Sequence, residues 1–285
     1  MRGLYGPYAV AESLIKRAST SARMRSGDVL DKVLRRSDRF TPPRRMRGLG
    51  GEGDYLEVGH EFLSHLVSLG RLAPHERVVD IGCGPGRLAR ELESFLGPAA
   101  SYTGIDPNAA CIDWLSEAYT YRRDFEFVHV DLQNGLYNPD GAIDPATWRF
   151  PFDDATHDAV TMFSVMTHVL PDTVERYLHE ARRVLIPGGW ILATMFLLDG
   201  AARAAIDDGS AIMPFQPDDG RVGYVDPALP EQAIAYDQEW VLDRISEAGF
   251  ATVGIRHGTW VPRGTGRTLQ DIIVARVAAP DGKPW

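Results

Sequence analysis

Three glycines at alternate positions follow an apolar run in VVDIGCGPGRLA, which spans residues 78–89. They are Gly82, Gly84 and Gly86. A P-loop needs Gly-Lys-Ser/Thr at its end to hold phosphates, and this stretch lacks it. Arg87 stands where a dinucleotide site has its third glycine, and the carboxylate of Asp80 would repel a pyrophosphate. The loop therefore favours a ligand with an ammonium group and no phosphate, and it disfavours a nicotinamide-dependent oxidoreductase.

Two further acids follow the next apolar runs. Asp106 ends the run in SYTGIDPN, roughly 20 residues past the loop, where a carboxylate can accept both hydroxyls of a ribose. Asp131 follows FVHV, where it can accept a hydrogen bond from an adenine amino group, and Leu132 can offer its backbone N–H to the ring. Each acid alone could be an ordinary residue at the end of a strand. Their order at successive strand ends favours a nucleoside ligand.

The elements that position these residues alternate between strand and helix. The apolar runs lie at residues 77–81, 101–105, 125–130, 158–163 and 190–197. Stretches with helical periodicity separate them, which predicts a parallel sheet with helices on both faces. After residue 236 a helix leads to two closely spaced runs, FATVGIRHGTW and TLQDIIVARV. Across so short a connection these two strands can pair only antiparallel.

A basic N-terminal arm precedes the α/β region. Residues 8–36 favour a helix, and two prolines and four glycines interrupt the chain over residues 41–54. Residues 1–50 carry twelve Lys or Arg and four acids, a net charge of +8 within a chain of net charge −9. We predict a basic helical arm or cap over residues 1–53 and one α/β domain over residues 54–285.

The arm has several possible partners. A basic segment on an acidic body could contact nucleic acid, an anionic substrate or a second copy of the chain, and it could also be a solvated surface. Aromatic residues are not interleaved with its arginines, as a single-strand-binding surface requires, which disfavours nucleic acid. We expect a possible homo-oligomer that forms through this arm.

Two stretches, residues 133–157 and 199–236, do not fit the alternation and are rich in Pro, Asp and Gly. Both would leave the carboxyl edge of the sheet, where ligands of α/β folds bind. We therefore expect these insertions to form the substrate side. Their aromatic residues could stack on a substrate or belong to the core: Tyr137, Trp148, Phe215 and Tyr224.

The composition bounds the compartment. The chain has 285 residues, 44% of them hydrophobic and 24% charged, as in ordinary globular domains. No apolar run approaches the ~18 residues of a membrane span, and charged residues interrupt the N-terminus before a secretory signal could form. Cys83 and Cys111 form no disulfide framework or metal-ligand spacing. We expect a cytoplasmic protein that does not contact a membrane.

From about residue 54 to 277 the sequence resembles the class I S-adenosylmethionine-dependent methyltransferases. The motifs are VVDIGCGPGRLA, GIDPN, HVDLQN, FPFDDATHDAVTMFSVMTHVL and EARRVLIPGGWILATMF. The resemblance implies a Rossmann-like seven-stranded sheet with an antiparallel last strand, S-adenosylmethionine as cofactor and S-adenosylhomocysteine as product. His157 departs from the family pattern, which has phenylalanine there. The implied cofactor-binding residues are Asp80, Gly82, Cys83, Gly84, Asp106, Pro107, Asp131, Leu132 and Phe163.

Methyl transfer to a hydroxyl also needs a general base, and His168 in FSVMTH follows the fourth strand on the substrate side. An imidazole titrates near neutrality and suits that role, although a histidine there could instead order the loop. His60 and His257 are weaker candidates. Metal-dependent relatives have Asp after the fourth strand, whereas this chain has Ser164 and Thr167, so we expect no metal.

The motifs of amino-methyltransferases and protein-arginine methyltransferases are absent. The resemblance to bacterial sugar and secondary-metabolite enzymes of natural product biosynthesis then implies metal-independent O-methylation of a small molecule. Three alternatives stay open. They are C-methylation of a small metabolite, RNA methylation with the basic arm on phosphates, and a cofactor-binding protein that transfers no methyl group.

Overall fold

The computed structural model describes residue 28 and residues 38–50, 53–218, 220–263 and 268–279. The helices are α1 Arg44–Arg47, α2 Tyr55–Ser68, α3 Arg87–Phe95, α4 Ala109–Ala118, α5 Pro171–Val184, α6 Gly200–Asp207 and α7 Gln238–Glu247. Short 3-10 helices cover Gly48–Gly50, Met166–His168 and Pro230–Gln232. The helix predicted over residues 8–36 lies outside the described residues, apart from Asp28.

Ten strands form one sheet in this part of the chain. They are β1 Arg77–Ile81, β2 Ser101–Asp106, β3 Phe125–His129, β4 His157–Met162, β5 Leu185–Leu198, β6 Gln216–Asp218, β7 Val222–Tyr224, β8 Ile234–Asp237, β9 Thr252–Arg256 and β10 Asp271–Arg276. The first five are parallel neighbours in the order β3-β2-β1-β4-β5. β10 then runs antiparallel between β5 and β9. The predicted α/β class, its parallel core and its antiparallel last strand are confirmed. The predicted number of seven strands is wrong for the described residues, because β6, β7 and β8 extend the sheet to ten.

The long strand β5 serves two neighbours because it extends past the others at its carboxyl end. Its residues 190–195 pair with β10, whereas residues 196–198 pair in parallel with β8. Strands β8, β7 and β6 continue the sheet at that end. All three, with α6, come from the stretch at 199–236, which we expected to be irregular. These strands form because β8 pairs with the exposed end of β5. Each of them is too short to show a strand periodicity in the sequence.

Helices cover both faces of the sheet. On one face α2, α3 and α4 enclose a core with Leu66, Leu92 and Leu115 at its centre. On the other face α5 and α7 bury Tyr177 and Ile245 against the strands. None of the helices described here combines the length and the apolar character that crossing a bilayer requires.

The glycine loop between β1 and α3 offers a direct test of the fold. Gly82 has φ +73°, and a Cβ there would overlap Cγ2 of Val165. Gly209 has φ +76° with no atom near its Cβ position. We expect Gly209→Ala to cost about 1–2 kcal/mol of unfolding free energy, the cost of a left-handed alanine. Gly82→Ala should cost at least twice as much, because the overlap adds to the same backbone strain.

Urea denaturation of the two variants measures the difference. Equal losses would show that Val165 gives way freely and that the loop is not held against the segment after β4.

Candidate functional site

The Asp106 carboxylate at the end of β2 holds the glycine loop in place. Its Oδ2 accepts the Gly84 N–H at 2.8 Å, and its Oδ1 accepts the Asn108 N–H at 2.8 Å. The N–H groups of Gly82 and Cys83 donate to the Ile105 carbonyl at 2.7 and 3.1 Å. Burial raises the pKa of Asp106. The predicted ribose acid therefore also shapes the loop that faces the same ligand.

Asp80 on β1 lies beneath this loop and is buried. Its carboxylate accepts the hydroxyls of Tyr102 at 2.8 Å and Thr161 at 2.7 Å, from the two strands beside β1. Burial raises its pKa to about 7, and the charge of Asp106 acts in the same direction. A carboxylate whose neighbours are hydroxyls and a second carboxylate is stabilised by a cation. The structure thus gives Asp80 two hydroxyl partners that its motif did not indicate.

The segment after β4 closes the other side of the loop. Ser164 has φ +56°, a left-handed conformation that is uncommon for a serine, and its N–H donates to Thr194 Oγ1 at 2.7 Å. This turn directs Val165 onto Gly82 and leaves Phe163 beside the loop. Strain in a non-glycine residue persists only where the surroundings impose it. Here Thr194 on β5 imposes it.

A small recess that is open to solvent lies between the glycine loop and the segment after β4. Asp80, Phe163 and Ser164 line it, together with Phe62 from α2. The Phe62 and Phe163 rings stack with centroids 3.9 Å apart. In the sequence Phe62 looks like any apolar position of α2, so only the packing identifies it. The apolar pattern of α2 predicts that Phe62 faces the core, but it does not predict the contact with Phe163.

Asp131 and Leu132, which we predicted to contact an adenine ring, form hydrogen bonds within the protein instead. Asp131 accepts the Asn138 side-chain N–H at 2.9 Å and the Ala142 N–H at 3.2 Å, and these bonds lower its pKa. The N–H of Leu132 donates to the Val130 carbonyl at 2.7 Å. In this conformation the Asp131 carboxylate holds the first insertion, and the Leu132 N–H closes a tight turn with Val130. Their contact with an adenine ring stays a prediction.

Cys83 and Pro107 are two further residues of the predicted cofactor site. Burial raises the pKa of the Cys83 thiol well above its ordinary value, and its sulfur lies close to Gly104. The carbonyl of Pro107 lies 3.1 Å from His129 Nε2. Any part that Cys83 plays in binding is therefore one of backbone shape, since its side chain is buried in the core.

His168 ends the short 3-10 helix after β4, and its ring is held from two sides. Its Nδ1 lies 2.9 Å from the Glu231 carbonyl oxygen, and Tyr137 Oη lies 3.4 Å from Nε2. Because a carbonyl only accepts, Nδ1 carries the proton and Nε2 has the lone pair. Burial lowers the pKa of His168 below 6.5. The imidazole is therefore neutral at pH 7, with its basic nitrogen toward Tyr137.

The two insertions meet at this histidine. The Asn134 side-chain N–H group donates to the His168 carbonyl at 2.8 Å and to Glu231 Oε1 at 2.9 Å. The N–H of Gly135 donates to Glu231 Oε2 at 2.5 Å. Sequence reasoning missed Asn134 and Glu231, which lie 97 positions apart. We call these contacts the Asn134–Glu231 clamp.

The four aromatic residues of the insertions have separate positions. Trp148 is buried against Phe150 and Tyr177, and Phe215 is buried with Trp260, so these two belong to the core. Tyr224 is only partly buried. Tyr137 is 53% exposed and meets the His168 ring edge-on. Of the four, Tyr137 is the one that contacts His168.

The weaker histidine candidates lie in other contacts. His60 pairs with Glu91 of α3 at 2.6 Å, and His257 lies 3.3 Å from the buried Asp271. His157 stands at the start of β4, the end of the sheet opposite the loop, and burial lowers its pKa to about 4. Within the described ranges no three His, Cys, Asp or Glu side chains are grouped so that they could hold a metal ion.

Comparisons with known proteins agree with this geometry. The family model described as a methyltransferase domain matches residues 25–231. Phthiotriol/phenolphthiotriol dimycocerosates methyltransferase 1 of Mycobacterium ulcerans is 31% identical over 141 residues, which are 50% of this chain and 43% of that protein. Sterol 24-C-methyltransferase ERG6B of Gibberella zeae is 28% identical over 154 residues, 52% of this chain and 36% of that protein. The chain spans less than half the length of each.

A solved structure shows the same fold. It is a putative O-methyltransferase from Nostoc punctiforme, similar with a TM-score of 0.53 and 17% identity over 78% of this chain and 56% of that one. At this identity the likeness concerns the fold alone.

Asp80 predicts a pH dependence of stability. Its pKa is about 7 in the folded chain against an ordinary 3.8. Between these pH values the folded state holds a proton that the unfolded chain has released. Stability contributed by this group therefore falls as the pH rises from about 4 to about 7. We expect Asp80→Asn to reduce this fall and to raise the melting temperature at pH 8 by a few degrees.

Thermal melts between pH 5 and pH 8 measure the effect, with Asp113→Asn on the exposed face of α4 as the control. Parallel pH curves for Asp80→Asn and the unsubstituted chain would contradict the raised pKa.

Proposed function

The chain belongs to the methyltransferase domain family, whose cofactor is S-adenosylmethionine, and we propose that its acceptor is a hydroxyl group of an apolar small molecule. The proposal is carried by the hydrogen bond between His168 Nδ1 and the Glu231 carbonyl, because this bond leaves Nε2 unprotonated at neutral pH. A hydroxyl acceptor has a proton to lose, and an imidazole in that state can take it.

The residues around the recess suit the cofactor. Asp80 and Asp106 are two buried carboxylates at the glycine loop. Asp80 also lines the recess, and among the described residues its carboxylate accepts hydrogen bonds from two hydroxyl groups. Such a set favours a cation that also carries ribose hydroxyls. Bound there, S-adenosylmethionine would supply a methyl group to the acceptor and leave as S-adenosylhomocysteine. Phe62 and Phe163 would exclude water from this side of the recess.

The work left to the chain is to orient the acceptor and to receive its proton. We place the acceptor hydroxyl at His168 Nε2, in the position that Tyr137 Oη approaches at 3.4 Å. That distance is long for a hydrogen bond to nitrogen, so a substrate hydroxyl can compete for it. Positioning of the acceptor can by itself supply on the order of 7–11 kcal/mol.

Exposed apolar side chains around His168 support an apolar acceptor. Leu136 and Tyr137 on the first insertion are 38% and 53% exposed, and Leu170, two residues after His168, is 43% exposed. Apolar side chains concentrated on the segments that surround a site mark a surface for an apolar ligand.

Carbon is the second candidate acceptor, favoured by the match to a sterol 24-C-methyltransferase. The two reactions give different products. A methyl group on oxygen and one on carbon have separate carbon chemical shifts, so NMR of a product made with a ¹³C-labelled methyl group distinguishes them.

Calorimetric titration with S-adenosylhomocysteine tests the cofactor site. We expect Asp106→Ala to weaken binding by about ten- to a hundredfold, the loss of hydrogen bonds to a charged group. Asp113→Asn should bind as the unsubstituted chain does. Circular dichroism confirms that the variant is folded. Equal affinity of Asp106→Ala, or tighter binding of NAD than of S-adenosylhomocysteine, would contradict the assignment of the loop.

Removal of the imidazole tests the base. With a labelled methyl donor and a panel of phenols and long-chain alcohols, we expect His168→Ala to lower turnover about 10²- to 10⁴-fold. Its affinity for S-adenosylhomocysteine should not change. Because the neutral imidazole is active and its pKa lies below 6.5, turnover of the unsubstituted chain at saturating methyl donor should decline as the pH falls through that pKa. Turnover of His168→Ala equal to that of the unsubstituted chain would refute the role.

A further inference from the structure

We propose that Glu231 is a positioning residue for His168, which sets the tautomer of the imidazole and keeps water from it by clamping one substrate insertion onto the other. The inference rests on the proposed function in that it gives His168 the part of general base. Its evidence is the geometry of the Asn134–Glu231 clamp, which exists whatever the acceptor is.

The side chain and the main chain of Glu231 contact different parts of the site. The Glu231 carboxylate accepts from Asn134 at 2.9 Å and from the Gly135 N–H at 2.5 Å. The Glu231 carbonyl faces His168 Nδ1 at 2.9 Å. Because the carboxylate is bound to the first insertion, it restrains the main chain of residues 230–232 next to the imidazole. The bond that selects the Nδ1–H tautomer thus depends on a side chain that does not touch the ring.

Asn134 completes the arrangement from the opposite side. Its amide donates both to Glu231 and to the His168 carbonyl, and its Oδ1 accepts the N–H groups of Leu136 and Tyr137 at 3.0 Å each. One side chain therefore places Tyr137, the clamp and the 3-10 helix of His168 relative to one another. A conformational change in either insertion would reach the imidazole through these bonds.

The charged and titratable groups around the ring are few among the described residues. Tyr137 faces Nε2 from the first insertion, and the Glu231 carboxylate lies behind its own carbonyl. Tyr236 on β8 donates its hydroxyl to the carbonyl of Val169, the next residue. Burial lowers the pKa of His168, and the main-chain bonds to Glu231 and Gln232 raise it by less. Opening the clamp should therefore raise the pKa toward 6.5, because water reaches the ring.

The test reads the imidazole directly and needs no acceptor. In the ¹⁵N-histidine-labelled full chain, long-range nitrogen–proton spectra identify the tautomer and the pKa of each histidine, and His168→Asn assigns the resonances of His168. Glu231→Gln places an amide N–H₂ against one of the two N–H donors of the clamp. We expect it to introduce the Nε2–H tautomer of His168 and to raise the pKa of the ring.

Asn134→Asp approaches the clamp from the other side. It keeps the acceptor for Leu136 and Tyr137 but replaces the donor to Glu231 by a second carboxylate, so the same changes should follow. Glu239→Gln, on the exposed side of α7, is the matched control and should leave the His168 resonances unchanged. In turnover, the acid side of the pH profile should move to higher pH in Glu231→Gln, whereas a purely structural loss would lower activity equally at every pH.

The two proposals fail separately. Unchanged His168 resonances in both Glu231→Gln and Asn134→Asp would overturn the positioning role, and so would an equal change in Glu239→Gln. Full turnover in His168→Ala would overturn the base role in the proposed function, while the spectra would still decide whether Glu231 sets the imidazole.

Discussion

The two hydrogen bonds that the Asp106 carboxylate accepts organise the ligand side of this molecule. One comes from Gly84 in the loop after β1 and the other from Asn108 in the turn after β2. A buried carboxylate is costly unless N–H or O–H donors surround it, so the loop and the turn stay where they can supply them. The glycine loop follows from that constraint, and Val165 can then pack against Gly82.

Two regions that differ in burial lie along the carboxyl edge of the sheet. Around the glycine loop the contacts are buried and come from neighbouring strands, as with Tyr102 and Thr161 on Asp80. Around His168 they come from the two insertions, where Asn134 is buried but His168 and Glu231 are only partly buried. The surface around His168 can therefore change in sequence without disturbing the glycine loop.

The glycine loop and the acids beside it could be predicted from the sequence to a large extent, whereas the surroundings of His168 could not. Asp80, Asp106 and the three glycines stand in short motifs whose spacing reflects local backbone geometry. The Phe62 contact depends on how α2 crosses the sheet, and nothing in the apolar pattern of that helix separates Phe62 from its neighbours. Trp148 and Phe215 had two readings in the sequence, and burial of their rings decided for the core.

The sequence by itself determined the α/β class, the position of the glycine loop and the antiparallel pair of strands at the end of the chain. Strand and helix periods and the left-handed φ of glycine are properties of neighbouring residues, so a sequence displays them. Only the tertiary structure decided the state of His168. Its partners Tyr137 and Glu231 lie 31 and 63 positions away. A tautomer depends on which atom lies within hydrogen-bond distance, and that distance exists only once both insertions have folded over the sheet.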